Sequence, residues 1–241
     1  MIVEFKIWSR IIVVTLILIT ALAGTITYRY YANTKDRPLL ILVWVPVLVE
    51  LINYNAVFNY YYADHYFFQG MRMVMPEWFY VNNFWITNLY FNFLALFFLY
   101  YFYRYLNSIV IKKVFKAIGA ILVCIFIYNY MTTDTFNDEH QALSLIAGNL
   151  LILFTVISFL FDYFLFEQQG GLVKLPVFWV AIGALFFFVG NTPNLLLINV
   201  LGSMDFTYSF FLFVFNILWY SSLLVCFYLL AFRTDKKLSV S

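Results

Sequence analysis

The chain has 241 residues, 65% of them hydrophobic, 23% aromatic and only 11% charged, with a formal net charge of +2. Soluble domains run near about 45–50% apolar and about 25% charged, so a water-soluble domain of this size is excluded and lipid must act as the solvent. The weak charge and the lack of a basic tract exclude a nucleic-acid surface.

Apolar runs of about 20 residues cross a bilayer as a helix. Seven such runs are predicted, at about 11–28, 39–60, 81–103, 114–130, 142–166, 177–200 and 206–232. Barrel strands of about 10 alternating residues do not fit runs this long and evenly apolar. The sequence therefore predicts an all-α, polytopic transmembrane helix bundle of about seven spans, forming one domain over 1–241. The longest connection, 61–80, is aromatic and holds Gly70 and Pro76. It is expected to form an interfacial lid on the bundle. Cys124 and Cys226 fall inside apolar runs and read as small buried hydrophobes rather than a disulfide.

Lys and Arg mark the cytoplasmic side of a membrane protein. Arg29, Lys35, Arg37, Arg104, Lys112, Lys113, Lys116, Lys174, Arg233, Lys236 and Lys237 fall on one side of the predicted bundle. Lys6, Arg10 and Arg72 fall on the other. This predicts a cytoplasmic C-terminus and, with seven spans, an N-terminus outside. Asp64, Glu77, Asp134, Asp138, Glu139 and Asp205 all fall on the outer face. Lys6 and Arg10 before a run ending Ala21-Leu22-Ala23 also resemble a signal peptide. Cleavage there would invert every later span and break the charge pattern. Six spans, with the first lying on the surface, is the other minority arrangement.

Ionisable and amide side chains inside a bilayer are costly and are site candidates by default. Glu50 sits midway through the second run, and a carboxylate there must pair, face water or hold a proton. Asn53 shares its helical face, three residues on. Asn55 and Asn59 follow. Trp85, Asn88 and Asn92 mark the third run, Asn149 the fifth, Asn191 and Asn194 the sixth, and Asn216 and Tyr220 the last. Lipid-facing amides would be unsatisfied, so these faces are expected to point inward. Together they outline a polar cavity open to the outside, the usual form of a small-molecule site, or else an interhelical hydrogen-bond network. Asp162, nearer the cytoplasmic end of the fifth run, is expected to snorkel or cap. Pro193 cannot donate to the carbonyl of Val189, so a kink is expected there. Gly183 and Gly190, seven apart, predict close helix contact.

Several chemistries find no support. The last run has no lysine between Phe206 and Phe232, which removes a retinal Schiff base. His65 and His140, with Asp64, Asp138 and Glu139, lack ligand spacing, and Met71, Met73 and Met75 read as apolar contacts rather than a copper site. No nucleophile motif, phosphate loop or nucleotide fingerprint is present. Neither a metal nor a cofactor is expected, and no catalytic residue is assigned.

Residues 175–197 carry Pro176, Phe178, Trp179, Gly183, Leu185, Phe188, Gly190 and Asn191. This segment resembles the sixth helix of a family of uncharacterised seven-span bacterial inner-membrane proteins, with the pattern P-x-F-W-x-x-x-G-x-L-x-x-F-x-G-N. The resemblance implies a multi-pass protein of the bacterial inner membrane. Beside the lipid bilayer itself, the resemblance suggests a signalling partner, a sensor histidine kinase or another membrane protein. The expected function is a receptor-like, sensory bundle binding a small or lipid-like ligand in its outer half. The alternatives are a small-solute or proton-coupled transporter using Glu50, and an intramembrane enzyme acting on lipid.

Overall fold

The computed structural model describes residues 2–62, 64–81, 83–132, 142–166, 171–201 and 206–238. Every regular element among them is helical. In chain order these are α1 (Ile2–Tyr31), α2 (Leu39–Tyr61), α3 (Tyr66–Val74), α4 (Glu77–Val81), α5 (Phe84–Tyr103), α6 (Ile109–Thr132), α7 (Ala142–Phe166), a 3₁₀ turn (Leu172–Lys174), α8 (Pro176–Leu201) and α9 (Phe206–Leu238).

Five stretches among the described residues are long and apolar enough to cross a membrane: Glu4–Tyr31, Phe84–Tyr103, Ser144–Phe166, Pro176–Pro193 and Ser209–Phe232. The apolar part of α2, Leu39–Asn55, is shorter. The helix α6 stands outside that set and opens on Lys112, Lys113 and Lys116. The helices overrun the apolar runs where polar residues flank them. Thus α1 begins nine residues before Ile11, taking in Lys6 and Arg10. Apolarity marks hydrocarbon, whereas helical hydrogen bonding continues into the interface.

Packing neighbours define a closed ring. α1 packs on α2, α2 on α5, α5 on α7, α7 on α8, α8 on α9, and α9 returns to α1. α6 lies outside this ring, against α5 and α7. The outward faces are apolar: Ile11, Leu18, Leu22 and Ile26 on α1, and Ile121, Ile127 and Met131 on α6, are exposed. Patches of this extent are foreign to soluble monomers and suit hydrocarbon. Cys226 is buried as predicted, but Cys124 is exposed on the outer side of α6, because that helix has only one packed face.

Small residues set the closest approach within the ring. A Cβ on Gly183 would strike Ser222 and come within 2.9 Å of Trp219 Cε3, and one on Gly190 would strike the Phe215 ring. Both glycines thus press α8 onto α9, the predicted role. The helix α8 runs through Pro193 to Leu201 without a break. Thr192 donates its hydroxyl to the carbonyl of Phe188, one of the local devices that let membrane helices carry proline.

One end of the ring is closed. Phe98 meets Phe188, Trp219 and Phe102 at centroid distances of 5.7, 5.8 and 6.1 Å. Beyond them Tyr31 lies 5.8 Å from Phe227. Asp36, in the α1–α2 connection, accepts hydrogen bonds from the hydroxyls of Tyr101 (2.7 Å) and Tyr105. Burial first, and the Asp36 carboxylate second, push the Tyr105 phenol well above its ordinary value, so it stays a donor. Asp162 is buried and accepts from the backbone N–H groups of Asn107 (2.6 Å) and Ser108 (3.0 Å), just ahead of α6. Of the two roles expected for it, capping is the one observed.

The 61–80 connection forms α3 and α4, of which α4 packs against α2 while α3 buries none of its residues. α3 is amphipathic and has no buried residue. Its one described tie is Arg72, whose Nε and Nη2 donate to Asn59 Oδ1 at 3.1 and 3.0 Å. Asn59 in turn donates to the carbonyl of Tyr80.

Candidate functional site

The ring encloses a cavity of about 450 Å³. Its wall draws on α1 (Lys6 to Ile17), α2 (Pro46 to Glu50), α5 (Thr87 to Phe98), Leu145 of α7, α8 (Phe187 to Asn191) and α9 (Ser209 to Tyr220). The lining lies in the N-terminal halves of α1, α7 and α9, runs along α5 from its first turn past its centre, and meets α2 and α8 around their middles. The cavity therefore extends from the middle of the bundle toward the end away from the α1–α2 connection. Phe98, Phe188 and Trp219 form its floor.

Four of the ten predicted ligand residues line this space: Glu50, Asn191, Asn216 and Tyr220. Asn191 is 2% exposed, and its Oδ1 has no hydrogen-bond partner. An unmet buried acceptor costs about 1–3 kcal/mol, so a donor entering the cavity would be favoured there. Asn216 is partly satisfied within its own helix, donating to the carbonyl of Leu212 at 2.7 Å. Glu50 resolves its predicted dilemma by pairing: Arg10 Nη2 lies 3.5 Å from its Oε2. The Arg10 guanidinium also sits 5.1 Å over the ring of Tyr54.

Five predicted residues lie elsewhere, and helical geometry says why. On α5 the cavity face is Thr87, Tyr90, Phe91, Leu94 and Phe98. Asn88 and Asn92 follow Thr87 and Phe91 by one residue, a turn of about 100°. They are buried on the next face, where Ala95 meets Gly148 of α7. Asn149 is buried but not in the cavity wall. Asn53 is absent from the cavity wall, and its backbone carbonyl accepts from Asn83 Nδ2 at 3.0 Å, just ahead of α5. The Trp85 ring stacks on Phe79 at 5.4 Å. The Asn194 side chain lies outside the described residues, as do Asp134, Asp138, Glu139, His140 and Asp205.

The sequence reading missed the α1 contribution. Lys6, Ser9, Arg10, Val13 and Ile17 form a stripe at helical spacing along the cavity. The signal in the sequence is Lys6 and Arg10 one turn apart, a pair that the charge pattern alone assigns to topology. Among the described residues no three His, Cys, Asp or Glu side chains converge. His65 accepts from the backbone N–H of Phe67 at 3.3 Å, capping α3.

Comparison with protein-family models, curated proteins and solved structures returned no match. The chain is thus an all-helical, apolar bundle suited to a membrane, and its function must be argued from this cavity.

Proposed function

We propose that the protein is a seven-span bundle of the bacterial inner membrane, with its N-terminus outside, that binds a small or lipid-like ligand in the cavity. The observation that carries the binding reading is Asn191, buried on the cavity wall with an unmet oxygen. Size and lining agree: about 300–1,000 Å³, mostly apolar walls and a few convergent polar groups are typical of ligand pockets. Basic residues favour the orientation. The α1–α2 and α5–α6 connections, at the end opposite the cavity, carry Lys35, Arg37 and Arg104, and Lys112 and Lys113 follow in the first two turns of α6. With α2 and α6 counted as spans, the cavity opens outward.

Onward signalling to a cytoplasmic partner, a sensor histidine kinase in this reading, rests on the resemblance of residues 175–197. Ligand-dependent repacking of α8 on α9 would carry it. A second reading, a proton-coupled transporter, is favoured by one observation: the Glu50 carboxylate faces the cavity and is 28% exposed. Solute flux in liposomes that is lost in Glu50→Gln would favour that reading.

Native mass spectrometry of the detergent-extracted protein tests binding. The wild type is expected to carry a small-molecule adduct, and Val13→Trp, which fills the cavity, is expected to lose it. Bare masses for both would contradict the proposal.

A further inference from the structure

We infer that the cavity takes an amphiphile with an anionic head, a carboxylate or a phosphate, seated between Lys6 and Arg10 with its apolar tail directed toward Phe98 and Trp219. This rests on the ligand-binding reading and names the class of ligand.

The charge at the mouth is unbalanced. Two cations, Lys6 and Arg10, line the cavity against one carboxylate, Glu50. Among the described residues Lys6 has no acidic partner. Arg10 reaches Glu50 through one nitrogen at 3.5 Å, longer than the roughly 2.7–2.9 Å of a well-made charge-assisted bond. Its side chain is half exposed, and the rest of its planar fork of donors is open to a second anion. Tyr54, stacked on the guanidinium, steadies it without using those donors.

Polarity is graded along the wall. On α1 the lining passes from Lys6, Ser9 and Arg10 to Val13, Val14 and Ile17. From Lys6 to Ile17 the helix rises about 16 Å, a depth that suits an extended chain rather than a compact polar solute. Cations this close to hydrocarbon are costly, and an anion held between them lowers that cost. The seated head competes with Glu50 for Arg10, so occupancy is coupled to the contact between α1 and α2.

The test uses the full chain in nanodiscs of zwitterionic lipid. Diazirine-bearing dodecanoate, dodecyl phosphate, dodecanol and dodecylamine are photolysed with it, and labelled peptides are mapped. Both anions, or one of them, are expected to label the α1 and α9 linings at least about tenfold more than the alcohol or the amine. Which anion labels more strongly separates a fatty-acid source from a phosphate-headed one. The Lys6→Gln/Arg10→Gln double variant is expected to lose the preference, and Arg10→Lys to retain part of it, each checked for an unchanged size-exclusion profile. Equal or stronger cavity labelling by the alcohol or the amine would overturn the anionic head while leaving the binding site standing. No cavity labelling by any probe would overturn both.

Discussion

At the scale of single residues, the polar groups of this bundle divide by whether they have a partner. Asp162 is satisfied by two backbone N–H groups ahead of α6, a fixed structural role. Asp162→Ala would remove the acceptor of both part-buried N–H groups, a loss of about 1–3 kcal/mol. The expected readout is a lower thermal midpoint in detergent by circular dichroism, with ligand binding retained in the fraction that stays folded. An unchanged midpoint would remove the capping role. Asn191 is the opposite case: it is equally buried, yet its oxygen has no partner. The sequence could identify both as costly in a bilayer, but not which one was already satisfied. That depends on a neighbour 54 to 55 positions away in the chain, which no local pattern reports.

At the scale of elements, α8 and α9 make the tightest seam, through Gly183 against Ser222 and Trp219, and Gly190 against Phe215. Within lipid there is little hydrophobic drive between helices, so such close packing carries much of the association. Gly183→Val is expected to destabilise the bundle by about 1–3 kcal/mol through overpacking, read as a reduced melting midpoint. A midpoint equal to that of the wild type would mean that Trp219 and Ser222 repack freely. The glycine spacing was legible because seven residues are nearly two helical turns. The cavity face of α5 was not. Its two asparagines advertise polarity, but the wall is built by Thr87, Tyr90 and Phe91, one residue out of phase. A polar residue in a membrane helix predicts an inward direction; it does not say which of two inward neighbours receives it. The amphipathic helix α3 illustrates a related limit. Its composition signals an interface, yet none of its residues is buried, and Arg72 on Asn59 is what ties it to α2.

At the scale of the whole molecule, the fold class was legible because composition leaves few choices. With 65% hydrophobic residues, backbone groups must be satisfied internally, and long apolar runs do so as helices. The ring of α1, α2, α5, α7, α8 and α9, with α6 outside it, was not legible. Helix neighbours depend on side-chain complementarity across the bundle, whereas a hydropathy pattern records only each helix against lipid. The packing inside the ring sets where the cavity ends. Phe98, Phe102 and Tyr101 fill the interior toward the α1–α2 connection, and Asp36 ties the tyrosines to that turn. The result, among the described residues, is a cavity with an aromatic floor at Phe98, Phe188 and Trp219.

Site-directed labelling in intact cells tests this arrangement most directly. In a Cys124→Ser background, Ser9→Cys at the cavity mouth is expected to react with a membrane-impermeant maleimide without permeabilisation. Ser108→Cys at the opposite end is expected to react only after the membrane is opened. The reverse pattern, with Ser108→Cys labelled from outside and Ser9→Cys protected, would contradict the account.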